Sequence, residues 1–99
     1  MSTKSFKEKV HSYITKDIKI CGGEPIIKGT RISVRLVAEY ENAGKNADEI
    51  VAMYPHITHA QVHDALSYYY DNKEEIDRFI LENSEEYMRK KYKGSPWLK

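Results

Sequence analysis

Cysteine is almost missing from this 99-residue sequence, where Cys21 stands alone. One thiol excludes an intrachain disulfide and any zinc site built on several cysteines. Its expected part is that of a small apolar side chain. Long apolar runs are missing as well. No stretch approaches the roughly 18 residues that span a bilayer, and Met1–Lys9 lacks the apolar core of a signal peptide, so a cytoplasmic address is expected. There is also no overall surplus of charge, because 16 Lys and Arg face 15 Asp and Glu, a formal +1. No internal repeat or low-complexity tract occurs. The length allows one domain, small enough for a partner subunit to be a natural source of further stability.

What is present is a strong segregation of charge. Residues 1–35 hold eight basic and three acidic side chains, residues 36–88 three and twelve, and residues 89–99 five and none. Both ends are basic and the middle is acidic. Any surface meant for phosphate must therefore draw its cations from the ends.

Residues 1–12 read as a polar, lysine-rich arm, either a frayed helix or an unstructured lead. From Tyr13 to Ile32 the pattern is one of short β-favouring runs and tight turns. Gly22-Gly23-Glu24-Pro25 is a turn signal, and Ile26-Ile27 and Thr30-Arg31-Ile32 are short extended runs around Lys28-Gly29. A hairpin over about 13–32 is expected. Its Ile26 or Ile27, with Ile32 and Val34, would pack against helices.

Helical periodicity begins at Ser33, a good N-cap, with Val34, Val37, Ala38 and Tyr40 at helical spacing. Gly44 supplies the stop, giving a helix over about 33–43. Asn46 with Glu49 three residues on predicts a capping box at the head of a second helix, about 47–54, which Pro55 ends. Thr58 with Gln61 predicts another box, and Ile57 with Val62 a hydrophobic staple, at the head of a third helix over about 58–71. Val62, Ala65, Leu66 and Tyr69 form its apolar stripe. A fourth helix is expected over about 73–91, starting near Asn72 with Glu75 in its first turn and with Glu74 and Arg78 as an i,i+4 pair. A single domain thus covers about 13–93, and a basic tail about 94–99.

Three short helices joined by tight turns suit a trihelical helix-turn-helix core. In that arrangement the third helix would offer the exposed side chains of its first turns, His59, Gln61, His63 and Asp64, to base edges. Gln61 is compromised for this if its amide folds back to close the cap. Residues 46–71 contain no Lys or Arg, and a phosphate-positioning surface needs several cations. Lys16, Lys19, Lys28, Arg31 and Arg35 are the candidate donors of that charge. Arg31 is equally suited to a carboxylate inside the protein or at a subunit contact. Tyr68, Tyr69 and Tyr70 cannot all be buried on one helix. Tyr69 falls on the core stripe, which leaves Tyr68 and Tyr70 as candidate partner contacts. Trihelical bundles also serve as interaction modules without DNA, and spacing alone does not separate the two uses.

Other chemistry fits less well. His59 and His63 have a spacing seen in zinc sites, but Ala60 stands where a zinc protease places its glutamate. Lys28-Gly29-Thr30 lacks the spacing and order of a phosphate loop. The many carboxylates fall on solvated helix faces, with no nucleophile or base beside them. No metal, cofactor or enzymatic activity is expected.

The run Gly23-Glu24-Pro25-Ile26-Ile27-Lys28-Gly29-Thr30-Arg31-Ile32-Ser33-Val34 resembles the Gly-x-Pro-x-Ile-x-Gly-Thr-Arg-Ile-x-Val signature of domain-of-unknown-function family 433. Ala43-Gly44, Ala47-Asp48-Glu49-Ile50, Tyr54-Pro55-His56-Ile57-Thr58 and Val62-His63-Asp64-Ala65-Leu66 continue the likeness over roughly residues 13–82. The resemblance implies a mostly α fold: a homeodomain-like trihelical helix-turn-helix core, a short N-terminal β-hairpin before it and a C-terminal helix after it. It also implies an antitoxin-like role as a homodimer that binds operator DNA and neutralises a toxin with a PIN-like ribonuclease fold. The basic residues Arg89, Lys90, Lys91 and Lys93 would then suit the acidic metal site of such a toxin.

Overall fold

A computed structural model describes residues 10–84. Within them the chain forms two short strands, β1 (Ile14–Lys16) and β2 (Pro25–Ile27), and four helices, α1 (Val34–Asn42), α2 (Ala47–Met53), α3 (His59–Asp71) and α4 (Lys73–Glu82). The fold is mostly helical, with a short antiparallel hairpin at its N-terminal side, as expected.

The hairpin pairs Ile14 with Ile27, Thr15 with Ile26 and Lys16 with Pro25. Its long connection contains a single 3-10 turn at Cys21–Gly23, where Cys21 itself takes a positive φ of 51°. The Cys21 thiol donates to the Arg31 carbonyl at 3.3 Å. After β2 the chain reverses at once. Thr30 N–H returns to the Ile27 carbonyl, Ile27 N–H is received by Ile32, and Ile26 bridges to Ser33. Gly29 sits at the third position of this reversal with φ 77°, a value that a side chain makes costly. Pro25, Ile26 and Ile27 are all buried. Both isoleucines go inward, where one had been expected.

The three caps foreseen at Ser33, Asn46 and Thr58 are formed. Ser33 Oγ accepts from Leu36 N–H, and closed capping boxes join Asn46 to Glu49 and Thr58 to Gln61. Each is a local exchange between residues three apart that satisfies amides the helix leaves unpaired. The core is one cluster that includes Ile27, Ile32, Val34, Val37, Ile50, Ile57, Val62, Ala65, Tyr69 and Ile76. Helix α3 lies at its centre, touching both strands and the other three helices.

The fourth helix differs from expectation at both ends. Asn72 does not cap it with its side chain. The Asn72 amide instead donates back to the Tyr68 carbonyl at 3.0 Å, finishing α3. At the other end α4 stops at Glu82, with Asn83 as its C-cap, so it does not run unbroken to residue 91. Residues 85–91 lie outside the described residues. The i,i+4 ion pair within it is Lys73 with Asp77 at 3.2 Å, and the expected Glu74–Arg78 pair does not form.

Two losses of stability follow. Gly29→Ala has open space for its methyl group, so its cost is conformational and should be about 1–2 kcal/mol. Thr58→Ala removes the cap of the central helix and should cost about 1 kcal/mol. Urea unfolding followed by circular dichroism measures both.

Candidate functional site

Helices α2 and α3 and the turn between them form the candidate interface. The turn is fixed by Ile57, buried in the core, and by the hydrogen bond from Ile57 N–H to the Tyr54 carbonyl at 3.0 Å. Tyr54 in turn shares a hydroxyl–hydroxyl bond of 2.9 Å with Tyr40 of α1, so the turn is tied to the first helix as well. Val62, Ala65 and Tyr69 hold the inner side of α3. Its outer side presents Ala60, His63 and Ser67, all exposed.

Several residues expected to read bases are otherwise engaged. Gln61 Oε1 accepts the Thr58 amide at 2.8 Å, which consumes its acceptor in the cap. His59 Nε2 lies 2.6 Å from Asp48 Oδ1, an exposed pair that links α3 to α2. Asp64 accepts from the Tyr13 backbone N–H at 2.8 Å. His63 is exposed and enters no hydrogen bond or ion pair with the described residues.

The expected cations also separate. Arg35 is an internal residue, with Nε 3.1 Å from Glu24 and a terminal nitrogen 3.6 Å from Glu39. It clamps the connection after Gly23 to α1 and is not available to a phosphate. Lys16 pairs with Glu75 of α4 at 3.4 Å. Lys28 and Arg31, at the tip of the reversal after β2, are exposed, and their side chains enter no ion pair with the described residues. Among the described residues Arg31 therefore holds no carboxylate.

The main feature that sequence reasoning missed is His11, placed in the polar arm but in fact docked on α3. Its side chain is only 7% exposed, with Nδ1 3.3 Å from Asp64 Oδ1. Nε2 lies 3.0 Å from Asp71 Oδ2, a close approach without hydrogen-bond alignment. The ring meets Tyr68 edge-on with centroids 5.2 Å apart. As a result, every carboxylate in residues 46–71 has an internal partner. Asp48 has His59, Glu49 closes its capping box, and Asp64 and Asp71 share His11. Each of these carboxylates is thus engaged within the described structure. No local signal could have shown it, because His11 and Asp64 are 53 residues apart.

The tyrosines divide differently from expectation. Tyr68 is half-buried under His11, and its hydroxyl donates to Glu75 at 3.2 Å, so it is not a free partner contact. Burial, together with the Glu75 charge, pushes the Tyr68 phenol above its ordinary pKa, which keeps it a proton donor. Tyr69 is in the core, with its hydroxyl donated to Asp77 at 2.8 Å. Tyr70 is 56% exposed. It lines an open cleft of about 480 Å³ with Asp71, Asn72, Lys73, Glu74 and Glu75. Its hydroxyl donates to Glu41 at 2.6 Å. Arg89, Lys90, Lys91 and Lys93 lie outside the described residues.

Among the described residues no group of three or more His, Cys, Asp or Glu side chains is arranged to hold a metal. None of their helices is long and apolar enough to cross a membrane.

The two histidine pairs should differ in weight. His11→Ala uncovers a buried contact and should cost about 1–3 kcal/mol. His59→Ala removes a pair whose members are 54% and 85% exposed, and should change stability by no more than about 0.5 kcal/mol. Paired denaturant titrations decide this, and equal losses would contradict it.

Comparison with known proteins places this arrangement. A comparison with curated proteins finds no match. The chain is similar to a solved DUF433 member protein from Anabaena variabilis ATCC 29413. The two are 37% identical with a TM-score of 0.66, over 69% of this chain and 67% of that one. Residues 14–69, more than half of the chain, match the family model described as protein of unknown function (DUF433). The chain belongs to the DUF433 family.

Proposed function

We propose that the chain is an antitoxin-like transcriptional regulator, a homodimer that binds operator DNA through α2, the turn and α3, and that also neutralises a toxin with a PIN-like ribonuclease fold. The observation that carries the DNA part is the state of α3. Its inner side is locked into the core, its outer side offers His63, Ala60 and Ser67, and its carboxylates are all internally paired. A rigid helix with a solvent-facing side and a defined N-terminus is what major-groove reading requires. Lys28 and Arg31, exposed after β2 and without an ion pair among the described residues, are free to meet phosphates. Arg35 and Gln61 are removed from that role by their internal bonds.

A second reading, a protein-interaction module without DNA binding, is favoured by one specific observation. Residues 10–84 hold eight basic and twelve acidic side chains, a net −4. Tyr70, exposed beside an acidic cleft, would then be its contact.

Gel shifts with DNA from upstream of the chain's own gene, at rising salt, separate the two. A retarded band that fades steeply with salt supports the regulator, because released counterions drive phosphate contact. Lys28→Glu with Arg31→Glu should then weaken binding at least tenfold. A chain that shifts no DNA even at low salt, while Tyr70→Ala weakens self-association or partner binding, establishes the module instead. The tail has its own test. Truncation after Glu86 should relieve inhibition of the cognate ribonuclease, and full inhibition by the truncated chain would remove the tail from the mechanism.

A further inference from the structure

A helix lying in the major groove reads bases from positions spaced i, i+3, i+4 and i+7, because these share one side of the helix. On the outer side of α3 such a row is Ala60, His63, Asp64 and Ser67. At about 100° per residue the row lies away from Val62, Ala65 and Tyr69, which are buried. Ala60, His63 and Ser67 are exposed. The row starts in the first turn of α3, the end that a recognition helix brings to the bases.

The fold takes one of the four positions out of use. Asp64 accepts the Tyr13 N–H at 2.8 Å and lies 3.3 Å from His11 Nδ1. The neighbours of the row are bound as well, Gln61 in its cap and His59 to Asp48. What remains is a methyl group, an imidazole and a hydroxyl, each with limited chemistry. A methyl group meets only another apolar group, and in the major groove that is the thymine C5-methyl. His63 enters no hydrogen bond or ion pair with the described residues. Its neutral ring has one N–H to donate and one bare nitrogen. Guanine offers that N–H two acceptors side by side, N7 and O6, whereas adenine sets a donor beside its N7. The Ser67 hydroxyl donates or accepts equally and so separates no base from another.

We infer that α3 reads a thymine and a guanine lying close together, Ala60 packing on the thymine C5-methyl and His63 donating its ring N–H to guanine N7. The two residues are three apart, a rise of about 4.5 Å along the helix. Base pairs repeat about every 3.4 Å, so the two bases fall within two base pairs of each other. His63 and Ala60 then determine sequence. Lys28 and Arg31 contribute affinity for phosphate, which carries no sequence information. The inference rests on the DNA-binding reading and adds to it the base edges that are recognised. Its test fails separately from that reading.

The experiment selects duplexes with the full chain, at low salt, from a labelled pool whose central base pairs are randomised. The wild type should enrich duplexes in which a guanine and a thymine lie within two base pairs. Anisotropy titrations then use the most enriched duplex with two base replacements. 7-Deazaguanine puts a C–H where guanine has N7, and uracil removes the thymine methyl. 7-Deazaguanine should weaken the wild type about five- to tenfold and leave the affinity of His63→Ala unchanged. Uracil should weaken the wild type about threefold to fourfold and leave that of Ala60→Gly unchanged. Each variant is compared with itself on two duplexes, so any loss of folded protein cancels. Salt-sensitive binding without an enriched guanine overturns the inference and leaves the DNA reading standing. So does an equal 7-deazaguanine loss in the wild type and His63→Ala. An equal uracil loss in the wild type and Ala60→Gly overturns the role of Ala60. Absence of wild-type binding to the whole pool at low salt overturns both the inference and the DNA reading.

Discussion

Everything in the described structure depends on the seating of α3. Both strands and the three other helices touch it, and its buried residues Val62, Ala65 and Tyr69 lie in the single core. A chain of this size has little apolar area to spare, so one central helix must serve as packing partner for all the rest. Its start is set by the Thr58–Gln61 box and by Ile57 pressed into the core before it. Its end is set by Asn72, whose amide returns to the Tyr68 carbonyl. A helix fixed at both ends and along one side presents a well-defined outer face, and that face is the surface through which function is proposed to act.

The same helix carries a conflict between burial and charge, and the rest of the chain resolves it. Its carboxylates would make it a poor neighbour for phosphate, yet each finds an internal partner. Asp64 and Asp71 meet His11, Asp48 of α2 meets His59, and Asp77 of α4 receives the Tyr69 hydroxyl and the Lys73 ammonium. Those last two bonds hold the Asp77 carboxyl below its ordinary pKa, the Tyr69 hydrogen bond contributing most. The cations divide in a parallel way. Arg35 is spent on Glu24 and Glu39, whereas Lys28 and Arg31 stay at the surface. Two arginines only four residues apart thus do unrelated things.

What could be read from sequence was what is local. The caps at Ser33, Asn46 and Thr58, the stop at Gly44 and the periodicity of α1 and α3 are exchanges within one or two turns. The alternation of short apolar runs with glycine placed the hairpin, and the Gly23–Val34 signature placed the family. What could not be read joins distant parts of the chain. His11 was grouped with a polar arm because its partners lie in α3, beyond both α1 and α2 in the chain. Arg35 looked like a free cation because Glu24 is brought to it only by the reversal after β2, where Ile26 bridges to Ser33. Asn72 looked like a cap because its pattern with Glu75 is the right one. Its φ of −133° and ψ of 44° show a backbone occupied with closing α3, and Glu75 is drawn to Tyr68 and Lys16.

The bond between Tyr13 and Asp64 also bears on the order of assembly. It joins residues 51 apart, and contacts of such separation form late, once closer ones have drawn the chain together. Helices α1, α2 and α3 are consecutive and meet across short turns, so they can settle against one another without the hairpin. As the chain leaves the ribosome, β1 emerges first, but its seat on α3 does not exist until Asp64 has followed it out. The earliest-made strand can pair with β2 soon after it emerges, but it finds its seat on α3 last.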